Sequence, residues 1–529
     1  MPIRGQTTIQ GHPKRRERMD DALNKIAEVN DVINTFVWVK IGLFILIGTG
    51  IIMTIVTKCF QVTHFKHWWV NTIGSVFKKN SAATKKTDKK TISQFQALCT
   101  ALAATIGTGN IAGVAAAICI GGPGAVFWMW VAAFLGMMTN YSENVLGIYY
   151  RRKNKKGEWS GGAMYYLADG LGAKKGFKGV GRVLAVLFAI FAILASFGIG
   201  NMGQVNKITL NLESAFFANV DAPTVLGVSA IRVAIGLVLV LIGSLIIIGG
   251  LQRIANVAER VVPFMSVAYI IGAIIIFCIH INTVGAMFTA IFKFAFGIKA
   301  VAGGAAGVAI SQVITQGCKR GVFSNEAGLG SSVMVHSSSN VKEPVKQGMW
   351  GIFEVFFDTF IVCTMTAIVV LSSGHIDLET GLTVGTVDDA TLVATSFKEV
   401  FGYAGQVFIA LAMLLFAFTT VLGWSQYGGK AVEYLCGEKA VKVYHVIFCA
   451  MIISGAIMTS SIAWDISDTF NGLMMIPNLI GVLVGIPVVY KITDNYVRRK
   501  IHGEKIEPMV SYDPKIQKEQ AEAIERGDE

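Results

Sequence analysis

Ala104-Thr105-Ile106-Gly107-Thr108-Gly109-Asn110-Ile111-Ala112-Gly113 interrupts an apolar segment long enough to cross a bilayer. Glycines, hydroxyls and a carboxamide at that depth weaken the helix and leave backbone N–H and C=O groups without a lipid partner. Irregular backbone survives at membrane depth where protein buries it or where it lines a cavity, and there it commonly holds an ion or a substrate.

The rest of the chain agrees with a membrane setting. Of 529 residues 53% are hydrophobic and only 15% charged, with mean hydropathy +0.57, against roughly 25% charged in soluble domains. Runs of about 20 apolar residues fall at 41–57, 97–119, 124–150, 182–212, 228–250, 261–281, 301–318, 349–373, 403–428, 443–463 and 470–490. The fold class is therefore an all-α membrane protein of eleven transmembrane helices.

The net charge of +12 does not call for nucleic acid, because Lys and Arg gather in alternate loops as the positive-inside rule requires. Basic loops carry Lys78 to Lys90, Arg151 to Lys156, Arg253 and Arg260, Lys319 and Arg320, and Arg498 to Lys500; the others hold Asp377 to Asp389, or Asp465 and Asp468. The N-terminus is then outside and the C-terminus cytoplasmic. The polar start predicts no cleaved leader, although Lys14, Arg15, Arg16 and Arg18 oppose this orientation. The cysteines lack metal or disulfide spacing.

Residues 1–40 read as a polar tail and an interfacial helix at 20–38, 41–95 as the first span with a basic amphipathic loop, and 496–529 as a cytoplasmic tail, charged and disordered from 503 on. Ten spans remain. They divide into five-plus-five, 96–281 and 282–495, and an odd number per set inverts the second repeat relative to the first. Each set begins with a glycine-interrupted span, at Gly107 and at Gly303, Gly304 and Gly307. Paired broken helices in matching positions point to a binding site.

A break at Gly107 to Gly109 frees N–H groups that attract a carboxylate and carbonyls that attract a cation, with Thr105, Thr108 and Asn110 adding oxygens. An amino-acid zwitterion with Na+ fits; close helix packing through small residues is the bland alternative. Ser196, Gly200 and Gln204 share one helix face, as interhelical glue or as cavity wall. Ser311, Gln312, Thr315 and Gln316 make another polar stripe. Thr419 and Thr420 either bond back to the preceding turn or complete an oxygen shell around sodium. Asp358 is a functional residue by default, or a paired structural one. No carboxylate chain suggests a proton relay. The Gly107-Thr108-Gly109 run lacks the strand and spaced acid of a dinucleotide site, and no phosphate-binding loop motif appears.

Leu102 to Gly113, Gly121-Gly122-Pro123-Gly124-Ala125-Val126-Phe127-Trp128-Met129-Trp130 and Arg320-Gly321-Val322-Phe323-Ser324-Asn325-Glu326-Ala327-Gly328-Leu329-Gly330-Ser331 resemble the motifs of the alanine or glycine:cation symporter family. The resemblance spans about 36 to 495. It implies a sodium-coupled secondary transporter importing small neutral amino acids, alanine or glycine, by alternating access, with Na+ as coupling ion and no organic cofactor. Substrate would meet Gly107, Thr108, Gly109 and Asn110, with Gln204 and Trp424, and Gly307, Ile310 and Ser311 from the second broken span. By similarity to the wider superfamily, sodium would meet the carbonyls of Ala103, Ile106 and Phe416 and the hydroxyls of Thr419 and Thr420. The run Ser331 to Ser339 departs from the family's usual Ala-Pro after Gly-Ser, in what reads as a cytoplasmic loop.

The expected partners are thus the amino acid, Na+ and the bilayer of the cell membrane, without nucleic acid. A proton-coupled transporter on the same fold is the alternative, and an ion channel a weaker one. An enzyme is not expected, since His280 has no evident nucleophile or metal partner.

Overall fold

A backbone in lipid must satisfy its own hydrogen bonds, and the chain does so as helices, with two short hairpins at 152–160 and 224–229. The computed structural model describes residues 13–78, 81, 83–85, 90–225, 227–296, 310–385, 389–458 and 462–527.

In chain order the main helices are α1 (Asn24–Val56), α2 (Gln94–Thr105), α3 (Gly109–Gly121), α4 (Ala125–Tyr149), α5 (Lys178–Phe216), α6 (Ala230–Ile247), α7 (Gly250–Ile279) and α8 (Val284–Phe296). They continue with α9 (Ile310–Asn325), α10 (Val333–His336), α11 (Pro344–Ser372), α12 (Asp389–Phe401), α13 (Tyr403–Cys436), α14 (Glu438–Ile457), α15 (Ile462–Val484), α16 (Ile486–Lys500) and α17 (Pro514–Glu525).

Among the described residues seven helices are long and apolar enough to span, or nine if the bent pairs α2/α3 and α15/α16 each count once. The sequence expectation is eleven. The helix at 124–150 is present as α4 but carries Asn140, Ser142, Glu143 and Asn144, which lower its apolarity, and 301–309 lies outside the described residues. Two expectations are corrected. The helix expected to lie on the membrane surface at 20–38 runs straight on into the first span. The tail expected to be disordered is ordered: Asp513 caps α17 through Lys515 N at 2.9 Å, Gln517 Oε1 accepts from Val510 and Ser511 N, and Tyr512 N donates to Tyr149 O at 3.2 Å.

The core forms around α2, whose residues from Gln96 to Thr105 are all buried. Its start is fixed by a capping box, Ser93 and Gln96 exchanging side-chain to backbone bonds, which satisfies two otherwise orphaned N–H groups. α7 and α13 flank it. A Cβ on Gly423 would stand 2.6 Å from the Cβ of Ala104, so glycine there lets α13 approach α2 closely. α4 packs along α9 and α11, and α5 along α13 and α15.

Candidate functional site

α2 stops at Thr105 because Ile106 is extended (ψ 91°), and the helix resumes at Gly109 in a direction turned by 57°. Asn110 makes this break a fixed structure. Its Oδ1 accepts from Gly107 N at 3.0 Å, and its Nδ2 donates to Asp358 Oδ1 at 2.7 Å. Asp358 also accepts from Ser324 Oγ at 2.8 Å and Thr359 Oγ1 at 2.9 Å. Three segments, α3, α9 and α11, are thereby joined at one buried carboxylate whose partners are all neutral side-chain donors.

The released carbonyl of Ile106 faces Thr420 Oγ1 at 3.5 Å, and the same hydroxyl meets Phe416 O at 3.1 Å. Thr419 Oγ1 lies 2.9 Å from both Leu415 O and Phe416 O. Phe416 and Ala103 are fully buried. The bonds to Leu415 and Phe416 are the ordinary back-bonding of helical threonines; the approach of Ile106 O is not, and it gathers carbonyl and hydroxyl oxygens from two helices at one point. Gly107 permits this approach, since a Cβ there would stand 2.5 Å from Thr420 Oγ1 and 3.3 Å from Gln204 Oε1.

Beside the break lies a hollow lined by Ala104, Thr105, Gly107, Gly109, Ile199, Gln204, Phe323, Glu326, Thr420, Trp424 and Asn471. Its free volume is about 20 Å³, room for roughly one water molecule. The stripe on α5 divides its labour. Ser196 Oγ bonds Tyr444 OH at 2.9 Å and Asn201 Nδ2 bonds Phe448 O at 2.7 Å, gluing α5 to α14. Gln204 Oε1 faces Thr108 N at 3.3 Å as cavity wall, and Gly200 seats Trp424, whose Cβ would lie 2.4 Å from a Cβ there.

Of the residues expected to meet substrate, Gly107, Gly109, Gln204 and Trp424 line the hollow, and Thr108 adjoins it through its N–H. Asn110 does not line it; its side chain is consumed in holding the break. Ile310 is 37% exposed at the start of α9, Ser311 is exposed beside it, and neither reaches the hollow. Gly307 lies outside the described residues. A second irregular stretch follows the other end of α9, where Glu326 (φ 55°), Gly328 (φ 91°) and Gly330 (φ 73°) lead into α10, and Glu326 lines the hollow beside Gly107.

The motif Arg320 to Ser331 packs into the core: Ser324, Asn325, Glu326 and Ser331 are buried. Lys319 and Asp468, expected in loops on opposite faces of the membrane, instead pair at 2.8 Å, with Asn34 Nδ2 on Asp468 at 3.0 Å. Phe323, Glu326 and Asn471 are lining residues that sequence reading missed. The signal for Glu326 is a lone acid in a glycine-rich apolar run.

A helical bundle that buries an unwound span, a cluster of backbone and hydroxyl oxygens and a small polar hollow has the build of an integral membrane transporter. The chain belongs to the sodium:alanine symporter family, whose model matches residues 23–510. The sodium/alanine symporter AgcS of Methanococcus maripaludis is 41% identical over 454 residues, 86% of this chain and 93% of that one. The probable sodium/glutamine symporter GlnT of Bacillus subtilis is 35% identical over 477 residues, 89% of this chain and 91% of its own. Among solved structures, the crystal structure of MhsT in complex with L-phenylalanine aligns with 77% of this chain and 99% of its own, at 13% identity and a TM-score of 0.49.

Proposed function

We propose that the chain imports alanine or glycine across the cell membrane together with Na+, by alternating access. The observation that carries this reading is the meeting of Ile106 O with Thr420 Oγ1 across the break in α2/α3. A cation drawn there by the carbonyls of Ala103, Ile106 and Phe416 and the hydroxyls of Thr419 and Thr420 would pin α2 to α13, and that links ion binding to the shape of the hollow.

The substrate carboxylate falls to the N–H groups of Thr108 and Gly109 at the start of α3, where the helix dipole favours an anion. Gly107 N is already held by Asn110, and the long contact of Thr108 N with Gln204 yields to the incoming carboxylate. Trp424 and Phe323 limit the side chain to a small one. The present hollow is smaller than alanine, so Gln204, Phe323 or Trp424 moves as substrate enters. The five-plus-five inverted repeat and an outer N-terminus with a cytoplasmic C-terminus complete the reading. Support for the orientation comes from the basic Arg152 and Lys153, which contact the C-terminal Tyr512 and Glu519, on a different cluster from Asn34, Lys319 and Asp468.

Reconstituted into vesicles, the protein should concentrate labelled alanine under an inward Na+ gradient and only equilibrate it when K+ replaces Na+. Equal accumulation in K+ would overturn sodium coupling, and accumulation driven by a pH gradient alone would establish the proton-coupled alternative.

A further inference from the structure

The hollow presents N–H donors on the wall formed by Thr108 and Gly109 and a single ionisable side chain, Glu326, among its described lining residues. Glu326 is 4% exposed. Its Oε1 accepts from Trp424 Nε1 at 3.0 Å and its Oε2 from Ser331 Oγ at 2.5 Å. Both donors are neutral, and none of the ion pairs among the described residues includes it. An ionised carboxylate has about four acceptor sites, and the two neutral donors occupy only two of them. A charge at this depth is costly without a partner of opposite sign.

The backbone gives an independent indication. Glu326 takes a left-handed conformation (φ 55°) in a segment that uses glycine at its other positive-φ positions, Gly328 and Gly330. A non-glycine residue in that region is strained, so the position retains a carboxylate against the conformational preference. Trp424, which holds the carboxylate, lies one turn beyond Thr420 on the same face of α13, an axial separation of about 6 Å. The carboxylate and the oxygen cluster at Thr420 therefore define two cation positions rather than one.

We propose that Glu326 receives the ammonium group of the transported amino acid, with Trp424 and Ser331 as the donors that position it. The inference rests on the reading of the hollow as an amino-acid site. Na+ at the Thr420 cluster, a zwitterion across the hollow and the Glu326 carboxylate sum to zero charge, so the loaded site carries no net charge into the membrane interior. The carboxylate of the substrate faces the helix N-terminus and its ammonium faces Glu326, which fixes orientation and favours α-amino acids over hydroxy acids or fatty acids of the same size.

The test measures alanine affinity at saturating Na+, and Na+ affinity without alanine, on the full-length protein in lipid nanodiscs. Glu326→Gln should weaken alanine binding at least about tenfold, the scale of one charge-assisted hydrogen bond, and leave Na+ affinity within about twofold. Unchanged alanine affinity overturns the inference, and so does a parallel loss of Na+ affinity, which would assign the carboxylate to the metal cation. If Glu326→Gln does not fold, Ser331→Ala removes one positioning donor from outside the hollow. It should weaken alanine about threefold or more with Na+ affinity retained, and an unchanged alanine affinity again overturns the assignment. Wild-type protein that binds no alanine at all would defeat the reading of the hollow itself, whereas wild type that binds it as Glu326→Gln does would defeat only the role of Glu326.

Discussion

The two irregular segments that meet at the hollow are built on different principles. The one at 106–108 works through backbone: Ile106 offers a carbonyl, Thr108 and Gly109 offer N–H groups, and Gly107 is there for lack of a side chain. The one at 326–332 works through a side chain, a buried glutamate on strained backbone steadied by Ser331 and Trp424. Asp358 joins them, since it holds Asn110 of the first and Ser324 just before the second. Backbone groups cannot be deleted by mutation, so the first segment is tested by crowding and the second by removing charge.

The largest effect should come from Gly107→Val. Its Cβ would sit 2.5 Å from Thr420 Oγ1, closing the meeting point of the two helices, and sodium-driven uptake should fall about 100-fold or more, as expected when a reacting geometry is displaced by an ångström. Uptake within a few-fold of wild type would show that the close approach is incidental.

Asp358→Ala comes next, because it strands the Asn110, Ser324 and Thr359 donors at full burial. Each unpaired donor costs about 1–3 kcal/mol, so thermal stability in detergent should drop clearly and uptake should fall about tenfold, with Asp358→Asn intermediate. A stable, fully active Asp358→Ala would mean that the two segments do not depend on a shared anchor.

Thr420→Ala removes one hydroxyl from the oxygen cluster. The half-saturating Na+ concentration should rise about five- to tenfold, in keeping with the loss of one polar contact, while maximal uptake at high Na+ persists. An unaltered Na+ response would remove Thr420 from the cation shell.

The smallest effect is expected at the position where sequence reading and structure part company. Ser311→Ala, at the exposed start of α9, should leave uptake within about twofold, the usual scale for a surface substitution. A tenfold loss would show that the start of α9 reaches the substrate.

That divergence shows how the chain discloses itself. The first break was legible because Gly107, Thr108, Gly109 and Asn110 sit mid-span, where no packing need explains a carboxamide. The expected second break, at Gly303, Gly304 and Gly307, lies outside the described residues. The working irregularity, Glu326 to Gly330, follows Lys319 and Arg320, and two basic residues suggested the end of a span. Only the fold reveals that Lys319 is neutralised by Asp468. The long apolar helices were readable from composition, whereas the role of Asn110 was not: a polar side chain beside a break reads equally as ligand or as staple until its partner, 248 residues away, is known.

If the first break is where ion and substrate are held together, the most direct test is the alanine dissociation constant of the purified protein across Na+ concentrations at constant ionic strength. Alanine should bind at least about tenfold tighter at saturating Na+ than in K+, with Na+ binding tightened by alanine in the same ratio, because coupling between two ligands is reciprocal. The same affinity in Na+ and in K+ would contradict it.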